Sequence, residues 1–288
     1  MSKLYAVLQE NVRKKSISKK HFYFCCMKGN VSMVFLIGLL LFSCSEKKEK
    51  KVDATSVYLN ELNKKIIKYP DSPALRLTLV KAMDSAGMYK EALAQMDVLI
   101  SIDSLNHGFW FAKGNIQQNA ADTAGAILSF NRAAKVYPSP EILLALANLY
   151  AETRNLKVLD VCARIDELKM GRELDSYTAF FKGVYFSRMG EKSKAIALFD
   201  KSINFNYTLM DNYIEKGSLY YEDKNYAEAM KVFKTAADVN NSYAYAYYWQ
   251  AKCFEAMNDK ANAISNYNKA FVLDKKMKEA EAALKRLK

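Results

Sequence analysis

One small residue recurs along this chain at nearly constant spacing, and the recurrence limits the fold more than any other feature. The six occurrences are separated by 34, 33, 36, 34 and 34 residues: Val80, Gly114, Ala147, Gly183, Gly217 and Ala251. A second series, mostly alanine, keeps the same steps: Ala92, Ala126, Leu159, Ala195, Ala229 and Ala263. Two series in register indicate one structural unit repeated six times.

The repeated unit has the pattern of two amphipathic helices joined by a short polar break. In the fifth copy Tyr213 precedes Gly217 by four residues, and Phe233 follows Ala229 by four residues. Apolar residues three and four apart are typical of a helix with one buried face. One helix pair cannot bury that face alone, so neighbouring copies must stack. With only 4 Pro and 10 Gly in 288 residues, the composition also favours helices over strands and turns.

The pattern resembles the tetratricopeptide repeat, whose signature is W-x2-L-G-x2-Y, then A-x3-F, then P. The second copy carries the signature residues Trp110, Gly114, Ala126, Phe130 and Pro138. The resemblance implies an all-α fold, a right-handed superhelical solenoid of about six helix pairs at residues 73–274. N- and C-terminal capping helices are expected at residues 54–70 and 275–288.

Turn and cap residues support these boundaries. Gly87, Gly190 and Asn225 fall between paired helices, where a left-handed backbone conformation is often needed. Ser72 and Ser139 each precede a proline, an arrangement that predicts a capping hydroxyl at a helix N-terminus.

The third copy departs from the repeat pattern. It has Leu159 where the second series has alanine, Ala163 where the other copies have a large side chain, and Asp166 at a usually apolar position.

The N-terminal part of the chain has the features of an export signal. Residues 1–26 are lysine-rich and are expected to be an upstream extension without a fold, with Met27 as the expected start. Residues 27–44 combine a basic start with an apolar run and end in Leu-Phe-Ser-Cys, which resembles the bacterial lipobox. The resemblance implies a lipid on Cys44. Residues 45–53 are then a polar tether, similar to the charged export tags of Bacteroidetes surface lipoproteins.

The charge of the chain argues against nucleic acid as a partner. The whole chain carries a formal net charge of +12, of which +6 lies in residues 45–288. A nucleic-acid-binding surface needs a concentrated basic face, and none is visible within the repeats.

The sequence lacks the clusters that carry enzymatic chemistry. It has no G-x-S-x-G, phosphate-binding loop or H-E-x-x-H motif, and its histidines and cysteines lack metal-ligand spacing. Cys162 and Cys253 fall on copies that are not neighbours, so we expect two free, buried thiols. His107, at a predicted helix start, has the position of a surface or capping residue. The prediction is therefore no enzyme, no cofactor and no metal.

The resemblance implies that the first helix of each copy lines a concave groove. The amides Asn115, Gln118 and Asn148 suit a peptide backbone, while the later copies supply an aromatic wall. The residues that we expect to bind a partner are Phe111, Asn115, Asn148, Tyr177, Phe180, Tyr221, Tyr245, Tyr248 and Lys252.

These observations predict a membrane-anchored, non-catalytic scaffold that grips a peptide or helix of another envelope protein in its groove. The expected location is the bacterial envelope, at the periplasmic or surface face of the outer membrane. An alternative is a glycan-binding surface lipoprotein that stacks sugars on the groove aromatics Tyr177, Phe180, Tyr245 and Tyr248. A third possibility is that the convex face makes the contacts.

Overall fold

The structure, a computed structural model, describes residues 54–287 and contains fourteen helices and no strand within that range. The chain divides into two compact units, whose described parts are residues 54–102 and 103–287. The first contains α1 (Ala54–Lys68), α2 (Pro73–Ser85) and α3 (Tyr89–Ile102). The second contains α4 (His107–Asn119), α5 (Thr123–Val136), α6 (Pro140–Glu152), α7 (Lys157–Glu167), α8 (Arg172–Arg188), α9 (Lys192–Phe205), α10 (Asp211–Glu222), α11 (Tyr226–Val239), α12 (Ala244–Ala256), α13 (Lys260–Leu273) and α14 (Lys278–Leu287). The predicted all-helical repeat fold is confirmed.

In the second unit, first and second helices alternate and pack as antiparallel neighbours, from the α4/α5 pair to the α12/α13 pair. Helix α14 packs on α13 at the end of the series. In three copies the recurring small residue is a glycine that lies under the phenyl ring of the second helix. A Cβ atom at Gly114, Gly183 or Gly217 would lie 2.4, 2.7 or 2.3 Å from the ring of Phe130, Phe199 or Phe233. The small residue therefore permits the close approach of paired helices.

Left-handed residues recur between paired helices in register with the repeat. They are Gly87, Ala121, Arg154, Gly190, Lys224 and Asn258, with φ between +58° and +82°. The predictions for Gly87 and Gly190 are confirmed. The prediction for Asn225 is wrong by one residue: Asn225 has φ −83° and caps α11, its side chain accepting a hydrogen bond from the Glu228 N–H.

The two predicted serine caps differ. Ser72 caps α2, its hydroxyl accepting a hydrogen bond from the Leu75 N–H at 3.4 Å. Ser139 stands at the N-cap of α6, but its side chain makes no capping bond. The proline after each serine starts the helix in both cases.

The third copy is regular, but its second helix is shifted by one residue relative to the sequence series. Val158 and Cys162 are both fully buried, whereas Leu159 is half-buried and Ala163 is exposed. The buried pair is therefore 158/162, not 159/163. The carboxylate of Asp166 accepts hydrogen bonds from Thr178 and Lys182 of the next first helix, at 2.7 and 2.8 Å. These bonds explain why a charged residue is tolerated there.

The predicted extension (residues 1–26), signal segment (27–44) with Cys44, and tether (45–53) lie outside the described residues. Within residues 54–287, none of the helices has the length and apolar character needed to span a bilayer.

Candidate interaction face of the first helices

The first helices α6, α8, α10 and α12 pack successively on one another, and two positions of the repeat are used to compare neighbouring copies. One position follows the recurring small residue directly, and the other lies four residues after that small residue. The later position of one copy is paired, by repeat register, with the earlier position of the next copy, and the structure shows direct contact at Tyr221/Lys252 and Glu255/Arg286. We call each such pair a joint, and the five joints are Gln118/Asn148, Ala151/Val184, Ser187/Ser218, Tyr221/Lys252 and Glu255/Arg286.

The joint between α10 and α12 contains a cation–π contact. The Lys252 ammonium lies 5.0 Å from the centroid of the Tyr221 ring and 4.3 Å from that of Trp249. Burial, followed by neighbouring groups that include Tyr226 and Glu255, raises the pKa of Tyr221. This joint is therefore partly dehydrated, which strengthens a cation–π contact.

The joint between α12 and α14 is an ion pair. The guanidinium of Arg286 donates to both oxygens of Glu255, at 2.5 and 2.9 Å. The Tyr267 hydroxyl of α13 also donates to Glu255, at 2.9 Å. These hydrogen bonds, chiefly the one from Arg286, lower the pKa of Glu255. The network fixes the last helix of the series to the copy before it.

A second ionic contact lies beside the serine joint and spans three copies. The guanidinium of Arg188 on α8 donates to Glu215 of α10 at 2.9 and 3.1 Å, and to Glu152 of α6 at 3.2 and 3.3 Å. The Arg188 and Glu215 side chains are only 15% and 7% exposed. Burial alone would lower the pKa of Arg188, but the two carboxylates outweigh burial and the net pKa is raised.

The Gln118/Asn148 joint differs from the others because neither amide makes a hydrogen bond to the described residues. Ten polar residues are buried among those that the structure describes. Eight of them make side-chain hydrogen bonds: Ser129, Ser176, Thr178, Ser202, Asn212, Glu215, Ser218 and Gln250. Within residues 54–287, the side chains of Gln118 (6% exposed) and Asn148 (9% exposed) have no protein partner. Both belong to the same joint.

The structure corrects the expected aromatic wall. Tyr177, Phe180 and Tyr248 are buried, at 7%, 4% and 9% exposure. Their rings fill the space between helices because they pack on other rings: Phe180 on Phe199, for example, with centroids 5.9 Å apart. The glycan alternative thereby loses three of its four stacking rings as exposed platforms.

The other predicted residues keep part of their surface. Phe111, Asn115, Tyr221, Tyr245 and Lys252 are half-buried. The ring of Phe111 also contacts Phe130 of its own copy, with centroids 5.4 Å apart. Whether these residues bind a partner stays a prediction.

Sequence reasoning missed the residues two positions before the small residue. Glu215 and Trp249 occupy this position in copies five and six, and each contacts the preceding first helix. The repeat register could have revealed these residues. Copies two to four have an apolar residue at this position, whereas copies five and six have a glutamate and a tryptophan.

Other reactive groups do not form a site in the described residues. No group of three or more His, Cys, Asp or Glu residues there could hold a metal ion. Cys162 and Cys253 are free and buried, as predicted, and burial raises the pKa of each thiol to about 12. Both thiols are therefore poor nucleophiles at neutral pH.

Comparisons with known proteins agree with this architecture. Residues 214–277, which form copies five and six, match the tetratricopeptide repeat model. No curated protein matches the chain. A tetratricopeptide repeat protein from Parabacteroides merdae ATCC 43184 superposes with a TM-score of 0.66 at 18% identity, over 82% of this chain and 94% of that one.

Two further solved structures are similar. PilW, a widely conserved type IV pilus biogenesis factor, has a TM-score of 0.55 at 17% identity, over 73% of this chain and 97% of its own. Yeast Tom70 has a TM-score of 0.54 at 14% identity, over 81% of this chain and 58% of its own. These likenesses give the chain the helical repeat fold of tetratricopeptide repeat proteins.

Proposed function

We propose that this chain is a non-catalytic scaffold that binds an extended segment of another protein along its first-helix face. We propose further that a lipid on Cys44 holds it at the bacterial envelope, on the periplasmic or surface face of the outer membrane. The partner is then another envelope protein.

The observation that supports the binding proposal is that the amides of Gln118 and Asn148, at equivalent positions of neighbouring copies, make no hydrogen bond within residues 54–287. An asparagine or glutamine side chain offers one carbonyl acceptor and one NH₂ donor, the same groups that a peptide unit offers. A peptide strand could pair with the Gln118 and Asn148 amides, which make no hydrogen bond within residues 54–287, whereas Ser218 and Glu255 at other joints already make hydrogen bonds.

Site-specific crosslinking tests the binding face. A photoreactive residue at Asn115, half-buried on α4 one turn before Gln118, should crosslink in cells to a defined segment of one partner. The matched control is the same residue at Asn268, an exposed amide on the second helix α13. The double substitution Gln118→Leu/Asn148→Leu should abolish the crosslink at Asn115 while the protein stays folded.

The crosslinking result has a clear opposite. If Asn268 captures the partner and Asn115 does not, the outer surface of the repeats makes the contact. If the crosslink at Asn115 survives the double substitution, the Gln118/Asn148 joint does not hold the segment.

The anchor is tested separately. Mass spectrometry of the mature protein should find an acylated N-terminal Cys44, and Cys44→Ala should release the protein from the membrane fraction. An intact chain that begins before Met27, or an unchanged membrane fraction for Cys44→Ala, would contradict the lipid anchor. Neither result would bear on the proposed binding face.

A further inference from the structure

Three aromatic rings surround a single ammonium at the joint between α10 and α12. The Lys252 nitrogen lies 4.3 Å from the ring centroid of Trp249, 5.0 Å from that of Tyr221 and 6.0 Å from that of Tyr248. A cation within about 6 Å of a ring face is attracted by the ring quadrupole. The rings therefore have the arrangement of a cation-binding cage.

The cage walls are held by contacts that do not involve the lysine. The Trp249 ring stacks on Phe233, with centroids 5.4 Å apart and planes 19° from parallel. Tyr221 meets Trp249 edge to face at 5.6 Å and also contacts Tyr226 at 5.2 Å. The rings should keep their places when the ammonium leaves. The lysine itself is half-buried on a flexible stem, so its head group can move out to solvent.

The charged surroundings favour a cation over an anion. Glu279 and Glu255 lie close enough to Tyr248 to contribute, after burial, to raising its pKa to about 12. Arg286 is the opposing basic group, and it is bonded to Glu255. The negative ring faces and the Glu279 carboxylate remain to attract a positive ligand.

We propose that Tyr221, Tyr248 and Trp249 form a binding site for an arginine side chain of the partner segment, and that Lys252 fills this site in the unbound protein. A guanidinium is planar and more weakly hydrated than an ammonium, so it stacks on an aromatic face more favourably than the lysine it replaces. The proposal rests on the proposed binding face and adds to it the residue type that the partner presents at copies five and six.

The test uses a small probe, so no partner is needed. N-acetyl-arginine amide is titrated against a Trp110→Phe variant of residues 45–288, in which Trp249 is the only tryptophan. The change in Trp249 fluorescence should saturate. N-acetyl-citrulline amide, which has the same shape but no charge, should give no saturable change.

Two variants on the same background decide whether Lys252 is the occupant. Lys252→Met keeps the apolar stem, removes the charge and should bind the arginine probe about 3- to 10-fold more tightly. Tyr221→Leu should abolish saturable binding. Lys252→Gln is a second charge-removing variant in case Lys252→Met does not fold.

The proposal is overturned if the arginine and citrulline probes behave alike. It is also overturned if neither Lys252 variant binds arginine more tightly than the parent protein. Because the crosslink at Asn115 reports on α4 and α6, its survival alongside a failed probe would leave the scaffold proposal intact. If the probe binds but the crosslink at Asn115 is absent, the arginine site is supported and the proposed peptide-binding face is contradicted.

Discussion

At the scale of single residues, the turns between paired helices show how the repeat tolerates imperfect sequence. All six turn positions need a left-handed backbone, yet only Gly87 and Gly190 are glycines. At Ala121, Arg154 and Lys224, an L-residue with a Cβ atom adopts φ near +60°. Such a conformation costs an ordinary L-residue about 1–2 kcal/mol, so these turns are held by the helices on either side.

We expect Lys224→Gly to raise the free energy of unfolding by about 0.5–1 kcal/mol. Glycine removes the left-handed strain, and this gain is partly offset by the greater freedom of the unfolded chain. Urea unfolding is the measurement. The matched control is Lys234→Gly, in the middle of α11, which should lower stability by about 1 kcal/mol. Equal losses at both positions would show that the turn is not strained.

We expect Gly217→Ala to lower stability by about 1–2 kcal/mol even though alanine is the better helix former. The added methyl would lie 2.3 Å from the Phe233 ring, and overpacking of a core costs about 1–3 kcal/mol. A double-mutant cycle with Phe233→Leu should show a favourable coupling, because the smaller side chain makes room. Additive effects in the cycle would contradict a clash at this contact.

At the scale of helices, α14 shows how the series of copies ends. Its Ala280, Ala283 and Leu284 are buried, while its lysines and glutamates stay outside. The ion pair between Arg286 and Glu255 repeats the joint geometry that Lys252 and Tyr221 use one copy earlier. The last helix therefore stands where the first helix of another copy would stand, and its polar outer face covers the apolar end.

The Glu255 ion pair should make stability depend on pH in the acid range. A carboxyl whose pKa is lower in the folded state stabilises the fold above its unfolded pKa of about 4.3, and this contribution disappears as the pH falls through the folded pKa. We expect Glu255→Gln to lower the free energy of unfolding at pH 7. The free energy of unfolding of this variant should then fall less than that of the parent protein between pH 5 and pH 3.

Urea unfolding at pH 7, 5 and 3 measures this effect. Glu228→Gln, at an exposed ion pair on α11, is the control and should change stability less at every pH. If Glu255→Gln keeps the full acid dependence of the parent protein, other carboxyls are responsible for it.

At the scale of the whole molecule, the second compact unit is a series of chemically different joints built on one helix-packing scheme. Copies two and three carry buried amides at the paired positions, copies three to five are joined by the Arg188 ionic contact, and copies five and six by aromatic rings. The side chains at equivalent positions therefore differ chemically on a surface whose backbone is regular. The regular backbone, in turn, follows from the buried glycine–ring contacts that recur beneath the face.

We expect Arg188→Met to lower the stability of the second unit by about 3 kcal/mol. The substitution leaves the buried Glu215 carboxylate without its guanidinium, and breaking one side of a buried pair is far more costly than replacing both. The double substitution Arg188→Met/Glu215→Leu should therefore recover most of the loss in urea unfolding. A single-mutant loss below about 1 kcal/mol would show that the contact is effectively solvated.

The sequence was sufficient to predict the helical repeat but not the exposure of individual rings. The two residue series predicted the pairing, and the glycine–phenyl contacts confirm it. The predicted register of the third copy was wrong because its turn is one residue shorter before the buried pair Val158 and Cys162. The prediction that the groove aromatics are exposed was wrong for Phe180 and Tyr248, because their rings pack on rings from their own second helices.

The sequence by itself determined the number of helix pairs and the small residues at their contacts, because these depend on local periodicity and side-chain volume. Only the tertiary structure decided which polar groups find partners, because hydrogen bonds between copies join residues about thirty positions apart. It paired Arg188 with Glu215 and placed Lys252 among three rings, and within residues 54–287 it left the Gln118 and Asn148 side chains without a hydrogen bond.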